Sequence, residues 1–184
     1  YSALCQRHRK WAEANAFTMR VGCKRGEKTE VDWAGDTMEY YDPDTGLAVK
    51  AWVFVACLPW SQYTFAEAFP DMGEESWIAA HVHAFSFFGG STPILVPDNC
   101  KTGVTRNTVD ELIVNEQYRR MAEHYGCAVV PARPRRPRDK GSVEAAVGLV
   151  ERQAMAPLRD RAFLSLPELN AALAAKVAAI NARP

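Results

Sequence analysis

The fold is decided by the stretch from Thr29 to Phe69, TEVDWAGDTMEYYDPDTGLAVKAWVFVACLPWSQYTFAEAF, which contains three strand-like runs. Its middle run, Ala48–Leu58, is almost wholly apolar, which is typical of a central strand buried on both faces. The turn sequences DPDTG at 42–46 and PWSQ at 59–62 separate the runs. Because turns this short join antiparallel neighbours, we predict a three-stranded antiparallel meander.

After the meander, the pattern changes to helices that alternate with short strands. Apolar residues recur at helical spacing in three segments, and a fourth helix opens with Leu-Pro-Glu. The predicted helices are Glu74–Phe88, Val109–Tyr125, Ser142–Leu158 and the Ala-rich segment from Leu166, and the predicted strands between them are Pro93–Val96 and Cys127–Pro131. The order β-β-β-α-β-α-β-α predicts an α/β fold with a mixed five-stranded sheet and helices on both faces.

The length of 184 residues is enough for one sizeable domain. We expect an N-terminal helix and connector over 1–26, a core over 27–162, and a C-terminal helix over 163–184 that leads to a further domain. The chain has no starting Met, so we expect it to be a fragment of a longer protein. The hydrophobic share of 48% excludes a disordered chain, and no apolar run approaches the roughly 18 residues that a membrane span needs.

The five cysteines bear on the cellular compartment and on the kind of metal site. They are scattered, odd in number and form no Cys-x-x-Cys pair. This pattern argues against a disulfide framework and against a tetrahedral zinc site, and it predicts a reducing, cytoplasmic location. His81 and His83 lack partner ligands at a suitable spacing, so we expect both to be structural.

One segment is strongly basic although the net charge of the chain is zero. Prolines at 131, 134 and 137 keep this segment from being helical. An extended basic segment can bind a phosphate backbone or can be a solvated linker, and the segment alone favours neither. Its basic residues are Arg133, Arg135, Arg136, Arg138 and Lys140.

Three acids lie at junctions of the predicted elements. Asp32 lies inside the first strand, Asp98 directly follows the strand that ends near Val96, and Glu144 lies near the start of the third helix. A carboxylate inside an apolar strand is costly unless it is paired or binds a cation. Carboxylate oxygens are the ligands that Mg²⁺ prefers, and two such ions can neutralise the attacking and leaving oxygens of a phosphoryl transfer. The three acids are therefore candidates for a two-metal site.

Two nearby residues have open roles. Asp36, four residues after Asp32, would share its strand face in an unbroken strand. Because Gly35 is expected to break the strand, and mostly because of the family resemblance described below, we prefer Asp32 as the strand acid. Lys101 lies in a predicted loop of Gly, Thr and Asn residues after Asp98, and it is a candidate for DNA contact or a surface residue without a role.

The segments that contain these acids are VDWAGDT at 31–37, VPDN at 96–99 and PARPRRPRDKGSVE at 131–144, and together they resemble the retroviral-integrase-like superfamily. Within it, the chain resembles the large, IstA-type transposase subunit of bacterial insertion sequences. The resemblance implies an RNase H-like fold and Mg²⁺- or Mn²⁺-dependent cleavage of transposon ends, followed by strand transfer into target DNA. It also implies that Asp32, Asp98 and Glu144 are the catalytic, metal-binding triad.

The same resemblance implies the partners of the protein. They are the DNA of the transposon ends and of the target, an AAA+ ATPase helper of the IstB type, and further copies of the protein in a homo-oligomer. Two alternatives remain open. An RNase H-like nuclease would cut DNA and never join it, and a non-catalytic DNA-binding or assembly domain would use the same acids only for its structure.

Overall fold

The computed structural model describes residues 23–97, 104–107, 112–132 and 141–183, with 104–107 and 112–114 described by their backbone alone. The strands in these ranges are β1 (Lys28–Tyr41), β2 (Ala48–Leu58), β3 (Tyr63–Phe69), β4 (Ile94–Pro97), β5 (Val104–Asn107), β6 (Leu112–Val114) and β7 (Ala128–Val129). The helices are α1 (Glu74–Phe88), α2 (Glu116–His124), α3 (Gly141–Val150) and α4 (Leu166–Asn181). A π-helical turn, Glu151–Met155, and a 3₁₀ turn, Ala156–Leu158, continue α3.

The main sheet has five strands in the order β3-β2-β1-β4-β7. Strands β1, β2 and β3 pair antiparallel, as the short turns between them predict. Strand β4 pairs parallel with β1, and β7 pairs parallel with β4. The predicted α/β fold with a mixed five-stranded sheet is therefore confirmed.

The apolar residues form one core layer on each face of this sheet. Strand β2 supplies both layers, because its successive side chains point to opposite faces. Val53 and Val55 pack with α3 and α4, whereas Phe54 and Ala56 pack with α1 and α2. All four side chains are fully buried, which explains why this strand is apolar throughout.

Strand β1 does not end at Gly35, and the expected break is wrong. The strand continues to Tyr41, and the irregularity lies in its pairing with β2. Trp33 pairs with Phe54 and Thr37 pairs with Trp52, so residues 34–36 lie opposite a single β2 residue. Such a bulge removes backbone groups from the ladder without ending the strand, provided that another partner accepts their hydrogen bonds.

The predicted helix over Val109–Tyr125 is wrong in its first half. Residues 112–114 form β6, which pairs antiparallel with β5 in a separate two-stranded sheet, and the loop expected after Asp98 contains β5. Helix α2 begins only at Glu116, because the Asn115 side chain accepts hydrogen bonds from Gln117 N and Tyr118 N at 2.8 and 3.3 Å. An asparagine N-cap of this kind satisfies backbone donors that have no partner within the helix.

The fourth predicted helix is confirmed and completes one core layer. Helix α4 begins after Ser165, whose side chain accepts a hydrogen bond from Glu168 N at 3.3 Å. Its buried residues Leu169, Leu173 and Val177 pack against the same sheet face as α3. The helix expected within 1–26 lies outside the described residues. In the described ranges, no helix combines the length and the apolar character that crossing a membrane would require.

Candidate acidic site on strand β1 and helix α3

Asp32 lies in β1 on the sheet face that α3 covers. Side chains alternate along a strand, and the neighbours of Asp32, Val31 and Trp33, both belong to the opposite layer with α1. Asp32 is half-buried, and its Oδ1 accepts a hydrogen bond from Trp33 N at 2.9 Å. The carboxylate therefore lies on the same face of the sheet as α3, the helix that carries Glu144.

A buried carboxylate connects the start of α3 to this strand. Glu30 is only 2% exposed, and its Oε2 accepts a hydrogen bond from Val143 N at 3.0 Å. Its other oxygen, Oε1, lies 2.7 Å from Lys28 Nζ. Because Glu30 and Asp32 are two residues apart in a strand, they share a face and lie about 6.6 Å apart along it. Val143 is the residue immediately before Glu144, so the two acids are carried by elements in direct contact.

A second carboxylate connects the end of α3 to the same strand. Glu151 Oε1 accepts hydrogen bonds from Gly35 N at 3.0 Å and from Asp36 N at 3.3 Å. Both N–H groups belong to the β1 bulge, where the regular hydrogen bonding to β2 is interrupted. The Glu151 carboxylate accepts the hydrogen bonds that β2 does not. The two connections follow the same order along both elements, and α3 therefore runs beside β1 in the same direction.

Glu144 lies in the first turn of α3, directly after the residue whose N–H binds Glu30. It is separated from Glu151 by seven residues, which brings the two within about 20° of the same helix face, and Glu151 contacts the β1 backbone. Glu144 is itself exposed, as a ligand that reaches a substrate must be, whereas Val143, Ala146 and Val150 are buried in the core. The described structure therefore brings two of the three predicted acids, Asp32 and Glu144, to one face of the sheet.

Asp36, the alternative to Asp32, lies in a different environment. It is in the bulge, exposed, and its Oδ2 forms an ion pair with Arg159 Nη2 at 3.0 Å. Together with Arg159, Met155 and other residues beyond α3, it lines a shallow groove. The Asp36 carboxylate is thus paired with an arginine of the same chain. The choice of Asp32 over Asp36 as the metal-binding acid of this strand stays a prediction.

Several predicted site residues lie outside the described ranges. They are Asp98, Lys101, Arg133, Arg135, Arg136, Arg138 and Lys140. Within the part of the chain that is described, no three His, Cys, Asp or Glu side chains come together in a group that could hold a metal ion. The triad therefore depends on Asp98 as its third member.

His81 is part of the core, as expected. It is completely buried, its Nδ1 donates a hydrogen bond to Trp77 O at 2.7 Å, and its Nε2 accepts one from the Tyr118 hydroxyl at 3.1 Å. Since a carbonyl oxygen can only accept, Nδ1 carries a proton. Burial disfavours the charged imidazolium, so the ring is neutral near pH 7 and Nε2 accepts from the Tyr118 hydroxyl. Burial lowers the pKa of His81 to about 4. His83 is exposed and pairs with Glu67 at 2.7 Å.

Glu30 and Glu151 were not among the site residues predicted from the sequence. Glu30 lies between Thr29 and Val31, and all three are almost completely buried. An acid in an apolar strand two residues before Asp32 was a signal that could have been used, since a buried carboxylate needs a partner. The contact of Glu151 with the strand carried no such signal, because an acid at that position is usual on an exposed helix surface.

Known proteins are similar to this chain along its length. The model of the integrase core domain family matches residues 25–137. The chain belongs to the integrase core domain family. It is 43% identical over 181 residues to a protein of Sinorhizobium fredii assigned as transposase y4uI, covering 98% of this chain and 35% of that protein. It is 28% identical over 153 residues to the transposase for insertion sequence element IS21 of Pseudomonas aeruginosa, covering 83% of this chain and 38% of the relative.

Solved structures agree with this assignment at the level of the fold. The catalytic core domain of HTLV-2 integrase, solved in complex with magnesium, has a TM-score of 0.62 at 14% identity, with 89% of this chain and 91% of that chain covered. The catalytic core domain of BIV integrase has a TM-score of 0.58 at 14% identity, with 86% of each chain covered. The resemblance inferred from the three motifs and the RNase H-like fold it implies are confirmed. The chain spans about a third of the length of the transposases it matches.

Proposed function

We propose that this chain is the catalytic core of a DNA transposase of the IstA type, which cleaves transposon ends and transfers them into target DNA. One observation carries the proposal. Asp32 and Glu144 lie on two elements, β1 and α3, that are joined at both ends by the carboxylates of Glu30 and Glu151. Such joining supports a rigid acidic site, which a reaction that depends on the position of metal ions requires.

Asp98 is proposed as the third acid. It directly follows Pro97, whose Cα pairs with that of Val31 in the parallel register of β4 and β1. Pro97 is the last described residue of β4, so the carboxyl end of this strand lies beside the β1 segment that carries Asp32. In a parallel sheet this end of the strand is where ligands bind.

The residues present fit magnesium or manganese. Asp32 and Glu144 offer hard carboxylate oxygens, one half-buried and one exposed, and hard cations prefer such ligands. When bound, two Mg²⁺ ions would neutralise charge at the attacking and leaving oxygens of the phosphoryl transfer. The contribution of the chain is to hold Asp32, Asp98 and Glu144 at fixed positions around that centre. The relative from HTLV-2, of the same fold, was solved in complex with magnesium.

DNA and protein partners are part of the same proposal. The matched relatives are named as transposases of insertion sequences, which supports transposon ends and target DNA as substrates. An AAA+ ATPase helper of the IstB type and a homo-oligomer are proposed by analogy with the insertion-sequence system. A nuclease that never joins DNA is distinguished by its products, because only a transposase yields strand-transfer products.

The first test is the binding of Mn²⁺, measured by calorimetry on the full-length protein with transposon-end DNA. We expect Asp32→Asn to weaken Mn²⁺ binding at least tenfold, because the carboxylate supplies a ligand oxygen that an amide replaces poorly. Asp36→Asn is the matched control on the same strand and is expected to leave binding within twofold. Equal binding by Asp32→Asn and the unaltered protein would refute the metal site and favour the non-catalytic assembly domain.

The basic segment gives a second prediction. Replacing Arg135, Arg136 and Arg138 together by Gln is expected to lower the slope of log Kd against log salt for DNA binding by about two to three, since each neutralised phosphate contributes about 0.9. Replacing Arg119, Arg120 and Arg183, which are exposed elsewhere, serves as a control of equal charge. A slope that is unchanged in the variant of the basic segment would show that the segment is a solvated linker.

A further inference from the structure

We infer that Glu30 is a positioning residue of the proposed acidic site, which it serves by holding the first turn of α3 so that Glu144 faces Asp32. The inference rests on the proposed function, because it concerns how the two acids are brought together. Glu30 is separated from Val143 by 113 residues in sequence. The bond between these two residues forms only in the folded structure.

The hydrogen bond from Val143 N to Glu30 is made in the first turn of α3, where the helix has no hydrogen bonds of its own to hold its N–H groups. The first four N–H groups of a helix have no partner within the helix, and Val143 is the third residue of α3. An acceptor from another part of the chain thus satisfies one of these N–H groups, and its negative charge suits the positive end of the helix dipole. The residues that begin this helix, Gly141 and Ser142, have low helix propensity. The position of Glu144, the next residue after Val143, therefore depends on this tertiary bond.

The burial of Glu30 explains why the bond is specific. A carboxylate that is 2% exposed must have all its strong partners within the protein. Lys28 Nζ at 2.7 Å neutralises one oxygen, and Val143 N at 3.0 Å occupies the other. Glu30 shares its strand face with Asp32, so the same β1 segment carries the metal-ligand candidate and the group that positions its partner acid.

Two substitutions of Glu30 separate the effect of side-chain length from the effect of the negative charge. Glu30→Gln keeps the length of the side chain and an amide oxygen that can accept from Val143 N. Its NH2 group replaces the oxygen that Lys28 binds, and the Lys28 side chain, which is 22% exposed, can turn to solvent. Glu30→Asp keeps the charge and is one methylene shorter, so it loses the bond. We expect Glu30→Asp to weaken Mn²⁺ affinity in the DNA complex at least fivefold and to speed amide hydrogen exchange of residues 142–145 at least tenfold. Glu30→Gln is expected to stay within threefold on both measurements.

The chain offers a control of the same type at another helix. Glu168 Oε2 accepts a hydrogen bond from Leu164 N at 2.8 Å, and its Oε1 pairs with Arg161 at 2.9 Å. Glu168→Asp is therefore expected to speed exchange at the start of α4 and to leave Mn²⁺ affinity within twofold. This control distinguishes a positioning role from a general loss of helix stability.

The outcomes are distinct. If Asp32→Asn abolishes Mn²⁺ binding and Glu30→Asp leaves both Mn²⁺ affinity and exchange unchanged, the role of Glu30 is refuted and the proposed function stands. The role is also refuted if Glu30→Gln changes Mn²⁺ affinity and exchange as much as Glu30→Asp does, because the charge and not the length of the side chain would then be decisive.

If Asp32→Asn binds Mn²⁺ like the unaltered protein, the proposed function and this inference both fail. Should Glu30→Asp not fold, the Gln variant with normal exchange and weakened Mn²⁺ affinity would overturn the inference.

Discussion

Glu144→Gln and Asp98→Asn are each expected to lower the rate of transposon-end cleavage by the full-length protein about a thousandfold. Each change removes a charged oxygen ligand, and metal ions contribute several kcal/mol to stabilising the charge that develops in the transition state. A loss of about 4 kcal/mol corresponds to roughly a thousandfold in rate. The measurement is single-turnover cleavage of an end-labelled DNA duplex at saturating protein.

The fold and DNA binding should survive both substitutions. Glu144 is exposed, so the melting temperature is expected to change little when its side chain is replaced. Asp36→Asn is again the control, because Asp36 is the rival acid on β1 and pairs with Arg159. Cleavage retained by Glu144→Gln, or lost equally in Asp36→Asn, would contradict the assignment of the triad.

The stability of the protein is expected to fall by about 2 to 3 kcal/mol as the pH is lowered from 7 to 4.5, because of His81. The pKa of His81 is about 4 in the folded protein and 6.5 for an ordinary histidine. Below pH 6.5 the unfolded chain therefore binds a proton that the folded protein excludes, and stability is lost as the pH falls until it passes the folded pKa. The difference of about 2.5 pKa units corresponds to about 3 kcal/mol.

Chemical unfolding between pH 7 and 4.5 measures this effect. Backbone hydrogen bonds lower the pKa of Glu27 and Glu168, and side-chain hydrogen bonds from arginines lower that of Glu116. The stability that these acids contribute is present above their ordinary pKa of 4.5 and is lost below it, outside the window. His81→Gln should remove most of the pH dependence, whereas His83→Gln, an exposed position on the same helix, should retain it. A wild-type profile that is flat between pH 7 and 4.5 would contradict a neutral, buried His81.

Local patterns in the sequence were sufficient for most of the elements of this fold. The apolar run of β2 and the turns on either side predicted the meander, since strand periodicity and turn preferences act over a few residues. The same local reasoning failed for Val109–Tyr125. The apolar residues 112–114 fit a helix or a strand equally well, and the pairing of β6 with β5 decided between them.

The sequence by itself determined the candidate acids and the family, because the segments around Asp32, Asp98 and Glu144 are contiguous and recognisable without the fold. Only the tertiary structure decided how two of these acids come together. The bonds from Glu30 to Val143 and from Glu151 to Gly35 join residues 113 and 116 positions apart. Such contacts leave no periodic trace in the chain. They form because buried carboxylates and unpaired backbone N–H groups must find partners once the sheet and helices have packed.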